Sequence, residues 1–125
     1  MVKKVLVVDD NPISRELIRE VLENSDQVVV EADNGEEALK MIADEKPDIV
    51  LLDIQMPVYD GYEVLRRVRS DLKMENLPVL ALTAYAMQQD REKALAAGFD
   101  DFITKPVDVA ALRSQVKKIL GDRKQ

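Results

Sequence analysis

The sequence predicts an α/β domain, a doubly wound (βα)5 parallel sheet with strand order 2-1-3-4-5. Three observations lead there. Short apolar runs recur along the chain at Val5–Val8, Val28–Val30, Ile49–Leu52, Val79–Leu82 and Phe102–Ile103, and their Val and Ile content favours strands. Longer amphipathic stretches separate them. The first, third and fourth runs show no polar alternation, which is how central parallel strands covered by helices on both faces read.

The elements follow in order. After the first run, Asn11 is placed to cap a helix with Pro12 at its first position. Ile13, Leu17, Ile18, Val21 and Leu22 then read as one apolar stripe. After the second run, Asn34 and Glu37 have the spacing of a capping box, and Asp60 and Glu63 repeat it after the third. A fourth helix is expected to run to Ala97 and stop at Gly98 in a left-handed cap. Asp108 is placed to cap the fifth helix, with Val107 stapled onto Leu112 and Gly121 as its end. Right-handed crossovers between successive parallel strands make this sheet order flavodoxin-like, with its switch point between strands 1 and 3. Residues 1–121 are expected to form the domain and 122–125 a polar, frayed tail.

Composition narrows the chemistry. The chain has 125 residues, enough for one domain with a proper core. Its net charge of −6 argues against non-specific binding to nucleic acid or anionic membrane. It contains no cysteine and no histidine, which removes disulfides, thiolate sites, the commonest zinc ligands and the commonest general base. Any bound metal must therefore be one that prefers oxygen. No apolar run approaches the ~18 residues of a membrane span, and the N-terminus lacks a signal-peptide pattern, so a cytoplasmic location is expected.

In such a sheet, ligands bind at the carboxyl ends of the strands. Strand 1 runs into Asp9 and Asp10, strand 3 into Asp53, strand 4 into Thr83, and Lys105 follows strand 5. These strands are contiguous in the expected order, so the five side chains should converge. Taken singly, each has a plain structural reading: an aspartate after a strand is often a turn or cap residue, and a lone lysine is usually solvated. Their coincidence at four strand ends carries the argument. Asp9, Asp10 and Asp53 sum to −3 and Lys105 returns +1, so one divalent cation neutralises the cluster. Mg²⁺ is the natural choice, with Asp9 and Asp10 as its seat, because it takes carboxylates, carbonyls and waters. Asp53 is the candidate nucleophile toward phosphorus, with Lys105 and the Thr83 hydroxyl placed to contact phosphoryl oxygens.

Together these residues resemble the receiver domain of bacterial response regulators. The match spans essentially the whole chain and rests on "VVDDN" at Val7–Asn11, "DIQMPVYDG" at Asp53–Gly61, "ALTAYA" at Ala81–Ala86 and "AGFDDFITKP" at Ala97–Pro106. The resemblance implies that Asp53 is the phosphoacceptor and that Asp9 and Asp10 hold Mg²⁺, with Asp53 and the Gln55 backbone carbonyl as further ligands. It implies that Thr83 and Lys105 contact the phosphoryl group and that Lys105–Pro106 is a cis peptide. Phe102 falls at the position of an aromatic switch residue, expected to swing from an exposed toward a buried place when Asp53 is modified; the alternative is a plain core residue.

The expected role is a phosphorylatable switch of a two-component or phosphorelay system, read on the face of helix 4, strand 5 and helix 5. It is not a conventional enzyme, although it catalyses its own Mg²⁺-dependent phosphoryl transfer and slow self-dephosphorylation. The resemblance implies a phosphohistidine donor, and because the chain has no histidine that donor must lie on another protein, a sensor histidine kinase or a histidine phosphotransfer protein. A downstream effector protein reads the result. The "TAYAM" stretch at Thr83–Met87 resembles receivers that stand alone or belong to hybrid kinases, and the chain reads either as a single-domain relay element or as part of a longer protein. Three rival readings remain. A flavodoxin-type cofactor binder would need a Ser/Thr/Gly-rich phosphate loop where this chain has Asp-Asp-Asn-Pro. An aspartyl-phosphate phosphatase resembles it in chemistry but carries an Asp-x-Asp nucleophile on strand 1. A degenerate receiver would serve only for binding.

Overall fold

Alternating side-chain direction along each strand explains how five short runs hold two layers of helices apart. In the computed structural model, which describes residues 3–23, 27–84 and 87–122, the elements are β1 (Lys3–Val8), α1 (Pro12–Glu23), β2 (Gln27–Ala32), α2 (Gly35–Glu45), β3 (Ile49–Asp53), α3 (Gly61–Ser70), β4 (Val79–Thr83), α4 (Gln88–Ala97), β5 (Asp101–Thr104) and α5 (Val109–Asp122). The strands are parallel in the order β2-β1-β3-β4-β5, as the sequence predicts. Leu6, Val8, Val50, Leu52, Val79, Ala81 and Phe102 pack on one face with residues of α2, α3 and α4. Val5, Val7, Ile49, Leu51, Leu80, Leu82 and Ile103 pack on the other with α1 and α5. Successive residues of one strand therefore enter different cores, and β3, β4 and β1 from Val5 onward carry no polar residue until their carboxyl ends.

The helix starts follow from local chemistry. Asn11 Oδ1 accepts the backbone N–H groups of Ile13 (2.9 Å) and Ser14 (3.3 Å). Asn34 Oδ1 accepts from the Glu37 N–H at 2.8 Å, while the Glu37 carboxylate reaches back to the Asp33 N–H at 3.1 Å, one residue before the cap. The Asp60 box closes on one side. Its Oδ1 accepts from the Glu63 N–H at 2.9 Å, but the Glu63 carboxylate turns to Arg66 and Arg67 at 2.6 and 2.7 Å. Their hydrogen bonds, Arg66 first, hold the Glu63 pKa down at about 2. Gly98 caps α4 at φ 113°, and the Ala111 N–H donates to Asp108 Oδ1 at 3.1 Å at the start of α5.

Three expectations change. Of the α1 stripe, Ile18, Val21 and Leu22 are buried, whereas Ile13 and Leu17 are exposed. At ~100° per residue, Leu17 and Ile13 stand roughly 90° and 130° round the helix from the centre of the buried face. Gly121 does not end α5, which runs on to Asp122. Glycine stops a helix when it takes a positive φ, as Gly98 does, and here Gly121 continues the helical conformation. Phe102 is buried, 6% exposed, in the core shared with Ala94 and Phe99, with the Arg91 guanidinium 5.4 Å from its ring centre. The ring thus stands at the inward position rather than the exposed one expected of it. Tyr85 and Ala86 of the "ALTAYA" motif, and the tail beyond Asp122, lie outside the described residues.

One glycine ties a helix directly to the strand that carries Asp53. A Cβ on Gly61 would stand 2.7 Å from Ile54 Cα and 2.9 Å from the Asp53 carbonyl oxygen. The Gly61 N–H also donates to the Ile54 carbonyl at 2.9 Å. The atoms in the way are backbone, so no rotamer change makes room. Gly61→Ala is expected to lower unfolding free energy by about 3 kcal/mol, the upper range for overpacking, and to shift the amide resonances of Asp53 and Gln55. Urea unfolding and an amide NMR spectrum check both.

Candidate functional site

The four strand ends meet where the sheet order brings them. Asp9 follows β1 and is fully buried, and its N–H donates to the Ala32 carbonyl at the end of β2 at 3.2 Å. Asp10, the next residue, faces solvent. Asp53 closes β3 at 3% exposure and Thr83 closes β4 at 1%. Lys105 stands one residue past β5, its N–H donating to the Thr83 carbonyl at 2.8 Å, and the Lys105–Pro106 peptide is cis. All five side chains named from the sequence lie at this one edge, and Asp9, Asp10 and Asp53 each offer a carboxylate oxygen within 4.8 Å of the others.

The hydrogen bonds orient the carboxylates. Asp53 Oδ1 accepts from the Gln55 N–H at 2.9 Å, and Oδ2 accepts from Lys105 Nζ at 3.1 Å. Asp9 Oδ1 accepts from the Asn11 N–H at 2.9 Å. Asp9 Oδ2 lies 2.7 Å from Lys105 Nζ, an ion pair by distance, yet this buried oxygen has no directed hydrogen bond. One ammonium thus bridges two buried carboxylates. Burial pulls the Lys105 pKa down, but the contacts with Asp9 and Asp53 outweigh it and hold the ammonium above its ordinary value. The Asp53 pKa also rises, which for a carboxylate disfavours the charged form. Burial, aided by the charge of Asp9, pushes its pKa up to about 6 against the pull of the Gln55 N–H and Lys105.

This donor set fits a hard divalent cation. Every available ligand is an oxygen, one buried carboxylate oxygen lacks a directed donor, and Asp10 opens the cluster to water. An anionic group approaching Asp53 meets a net negative pocket with a single ammonium in it.

Two contacts were not legible in the sequence. Gln55 Nε2 donates to Thr83 Oγ1 at 3.2 Å, so the side chain of a residue singled out only for its carbonyl also touches the β4 hydroxyl. Arg15, in the first turns of α1, donates from Nη1 to the Asp9 carbonyl at 2.7 Å and from Nε to Glu31 Oε1 at 3.0 Å. The available signal was a pair of arginines, Arg15 and Arg19, four residues apart just after the acid pair. Such spacing ordinarily marks a solvated face.

The family model of the response regulator receiver domain matches residues 5–117. The chain is 48% identical over 104 residues to an uncharacterised 14.6 kDa protein of Leptolyngbya boryana, covering 83% of this chain and 79% of that one. It is 36% identical over 122 residues to the polar-differentiation response regulator DivK of Brucella anthropi, covering 98% of this chain and 99% of that one. Among solved structures it resembles the receiver domain of the sensor histidine kinase PA1611 of Pseudomonas aeruginosa, crystallised with a magnesium ion coordinated in the active site cleft. That similarity has a TM-score of 0.87 at 32% identity over 97% of this chain and 99% of that one.

The raised pKa of Asp53 has a consequence for stability with a definite sign. In the unfolded chain this carboxyl titrates near 3.8, and in the folded chain near 6. Between those values the folded state holds the proton more tightly, so the group's contribution to stability falls as pH rises and is fully unfavourable above about 6. Asp53→Asn is therefore expected to stabilise the chelator-treated protein at pH 7 by on the order of 2 kcal/mol. The advantage should shrink steadily below pH 6 and vanish only below about pH 3, where the carboxyl is protonated in both states of the wild type. Paired urea titrations across that range read it directly, and an advantage independent of pH would contradict the assignment.

Proposed function

The chain belongs to the response regulator receiver domain family, whose members signal through phosphorylated aspartate in two-component systems, and from that premise we propose that Asp53 is its phosphoacceptor. One observation carries the reading: a buried carboxylate at the end of β3, pinned by the Gln55 N–H and Lys105 Nζ, beside two further carboxylates. In the family reading the donor is a phosphohistidine, and since this chain has no histidine of its own it lies on another protein, a sensor kinase or phosphotransfer protein.

The residues divide the work. Asp53 is ionised at neutral pH, its pKa standing near 6, and supplies the attacking oxygen. As the O–P bond forms, the P–N bond to the donor imidazole breaks, and that nitrogen keeps the electron pair and takes up a proton. Lys105 is close enough to Asp53 to follow the negative charge onto the transferred phosphoryl group. The Gln55 amide donates to Thr83 Oγ1, which uses a lone pair of that oxygen, and the hydroxyl proton is the one this reading directs to a phosphoryl oxygen. Asp9, Asp10, Asp53 and the Gln55 carbonyl would hold Mg²⁺, as the magnesium reported for the PA1611 receiver supports, and the ion when bound offsets charge on carboxylate and phosphoryl oxygens. The flavin-binding rival would set its own phosphate against Asp9 and Asp10. The phosphatase rival would need its nucleophile on β1, where Asp9 is already tied to Lys105 and Asn11.

Incubation with Mg²⁺ and a small acyl phosphate, followed by intact-mass measurement, tests the assignment. One phosphoryl group is expected on the wild type, and none on Asp53→Asn or in excess chelator. Full labelling of either control would overturn it.

The output face in this reading is α4, β5 and α5. Ala94 is the buried residue of α4, so few side chains anchor that helix. A phosphoryl group on Asp53 draws Thr83 toward it, and the inward ring of Phe102 is one end of a two-state equilibrium that this contact biases. Amide spectra with and without a beryllium fluoride mimic of the phosphoryl group should show changes reaching Phe102 and α4 in the wild type. In Thr83→Ala the changes should stay near Asp53. Wild-type changes confined to the loops around Asp9, Asp53 and Thr83 would remove the switch.

A further inference from the structure

We propose that Arg15 is a positioning residue for the metal seat, fixing the Asp9–Asp10 peptide through the Asp9 carbonyl and itself fixed by Glu31. This rests on the reading of Asp9, Asp10 and Asp53 as the Mg²⁺ ligands. The two acids must present their carboxylates at quite different depths, Asp9 fully buried and Asp10 in solvent. Asp9 is held on its side chain by Asn11 and Lys105 and on its N–H by the Ala32 carbonyl. Of those contacts, the Asn11 bond spans the Asp9–Asp10 peptide and restrains its plane, which decides where Asp10 points. Arg15 Nη1 adds the hold on the oxygen of that peptide itself, with a 2.7 Å bond to the Asp9 carbonyl.

The guanidinium is held in turn. Its Nε donates to Glu31 Oε1 at 3.0 Å, and Arg19 Nη1 takes Glu31 Oε2 at 2.6 Å, so the carboxylate is fixed from both sides. Burial raises the Glu31 pKa, but the hydrogen bonds and charges of Arg15 and Arg19 outweigh it and keep the group ionised. Arg15 is only 19% exposed on its side chain, against 48% for Arg19. A rigid planar fork can bond Glu31 and the Asp9 carbonyl together, whereas a lysine offers one nitrogen and must choose. The cation also lies against a carbonyl oxygen that would otherwise add its partial negative charge to an acidic cluster.

Arg19 supplies the control. It shares the Glu31 ion pair and makes a second one with Glu23 at 3.1 Å, and its hydrogen bonds go to those two glutamates. If the network were only structural, losing either arginine should act alike. The full chain, labelled with ¹⁵N, is titrated with MgCl₂ while the half-saturating concentration is read from amide shifts, and melting temperature is measured on the same samples without metal. Arg15→Ala is expected to need about tenfold more Mg²⁺, the lower range for residues that orient metal ligands. Arg19→Ala should keep the wild-type value although both variants lose some thermal stability. Arg15→Lys should recover stability without recovering affinity, and it carries the comparison if Arg15→Ala does not fold. Wild-type affinity in Arg15→Lys or a folded Arg15→Ala, or an equal loss in Arg19→Ala, would overturn the inference. A wild type that shows no saturable response to Mg²⁺ would instead overturn the metal-site reading on which it rests.

Discussion

Everything at the carboxyl edge is arranged around one unfavourable fact: three carboxylates share a few ångströms, two of them buried, with a single ammonium between them. Like charges at such range in a low-dielectric setting repel strongly. The raised pKa of Asp53 is first its burial, with the repulsion of Asp9 added, expressed as proton affinity. The protein keeps the arrangement because the fold is secured elsewhere, in two apolar layers that do not depend on the edge. Charge density here is a stored preference for a cation and for a group that can be neutralised in company with one.

The fold makes this tension geometrically unavoidable. Parallel strands all end their buried runs at the same edge, and βαβ crossovers place the loops there. Once β1, β3, β4 and β5 are adjacent, the residues after their apolar runs have nowhere else to be. Asp53 is held in depth by the backbone as well: α3 begins against its carbonyl, with Gly61 leaving no space for a side chain. The nucleophile is therefore positioned by close backbone contact, and its two oxygens are sorted by donors from different elements, Gln55 and Lys105.

How much of this the sequence discloses depends on whether a residue's place follows from periodicity. Asp9, Asp10, Asp53, Thr83 and Lys105 were legible because each sits at or just past the end of an apolar run, and the strand order did the rest. The capping residues were legible for the same local reason. Ile13 and Leu17 misled because an apolar residue on the shoulder of a helix counts the same in a stripe as one on its centre line. Arg15 and Glu31 stand 16 residues apart, and their meeting depends on how α1 lies across β2, which charge alone does not report. Val58, at φ 69°, gave the opposite of a warning, since a β-branched residue argues against a left-handed turn. Phe102 was legible as a position but not as a rotamer, because the spacing of a short strand does not report which way a ring turns.

The two sides of the site are secured by different kinds of contact. Toward β1, β2 and α3 the contacts are made to the backbone: the Asp9 N–H to Ala32, the Asp9 carbonyl to Arg15, the Gly61 N–H to Ile54. Toward β4, β5 and α4 several are made between side chains: Gln55 to Thr83, Lys105 to two carboxylates, Arg91 over Phe102. Those between two backbone groups, Asp9 with Ala32 and Gly61 with Ile54, yield only if an element moves. Contacts between side chains exchange partners while the sheet stays intact, and α4 rests on little buried surface that would resist its shifting. A change in charge at Asp53 therefore meets a stiff wall on one side and a compliant one on the other. The compliant side is where the receiver reading puts the output, and the asymmetry gives a physical reason for a signal to leave by that face.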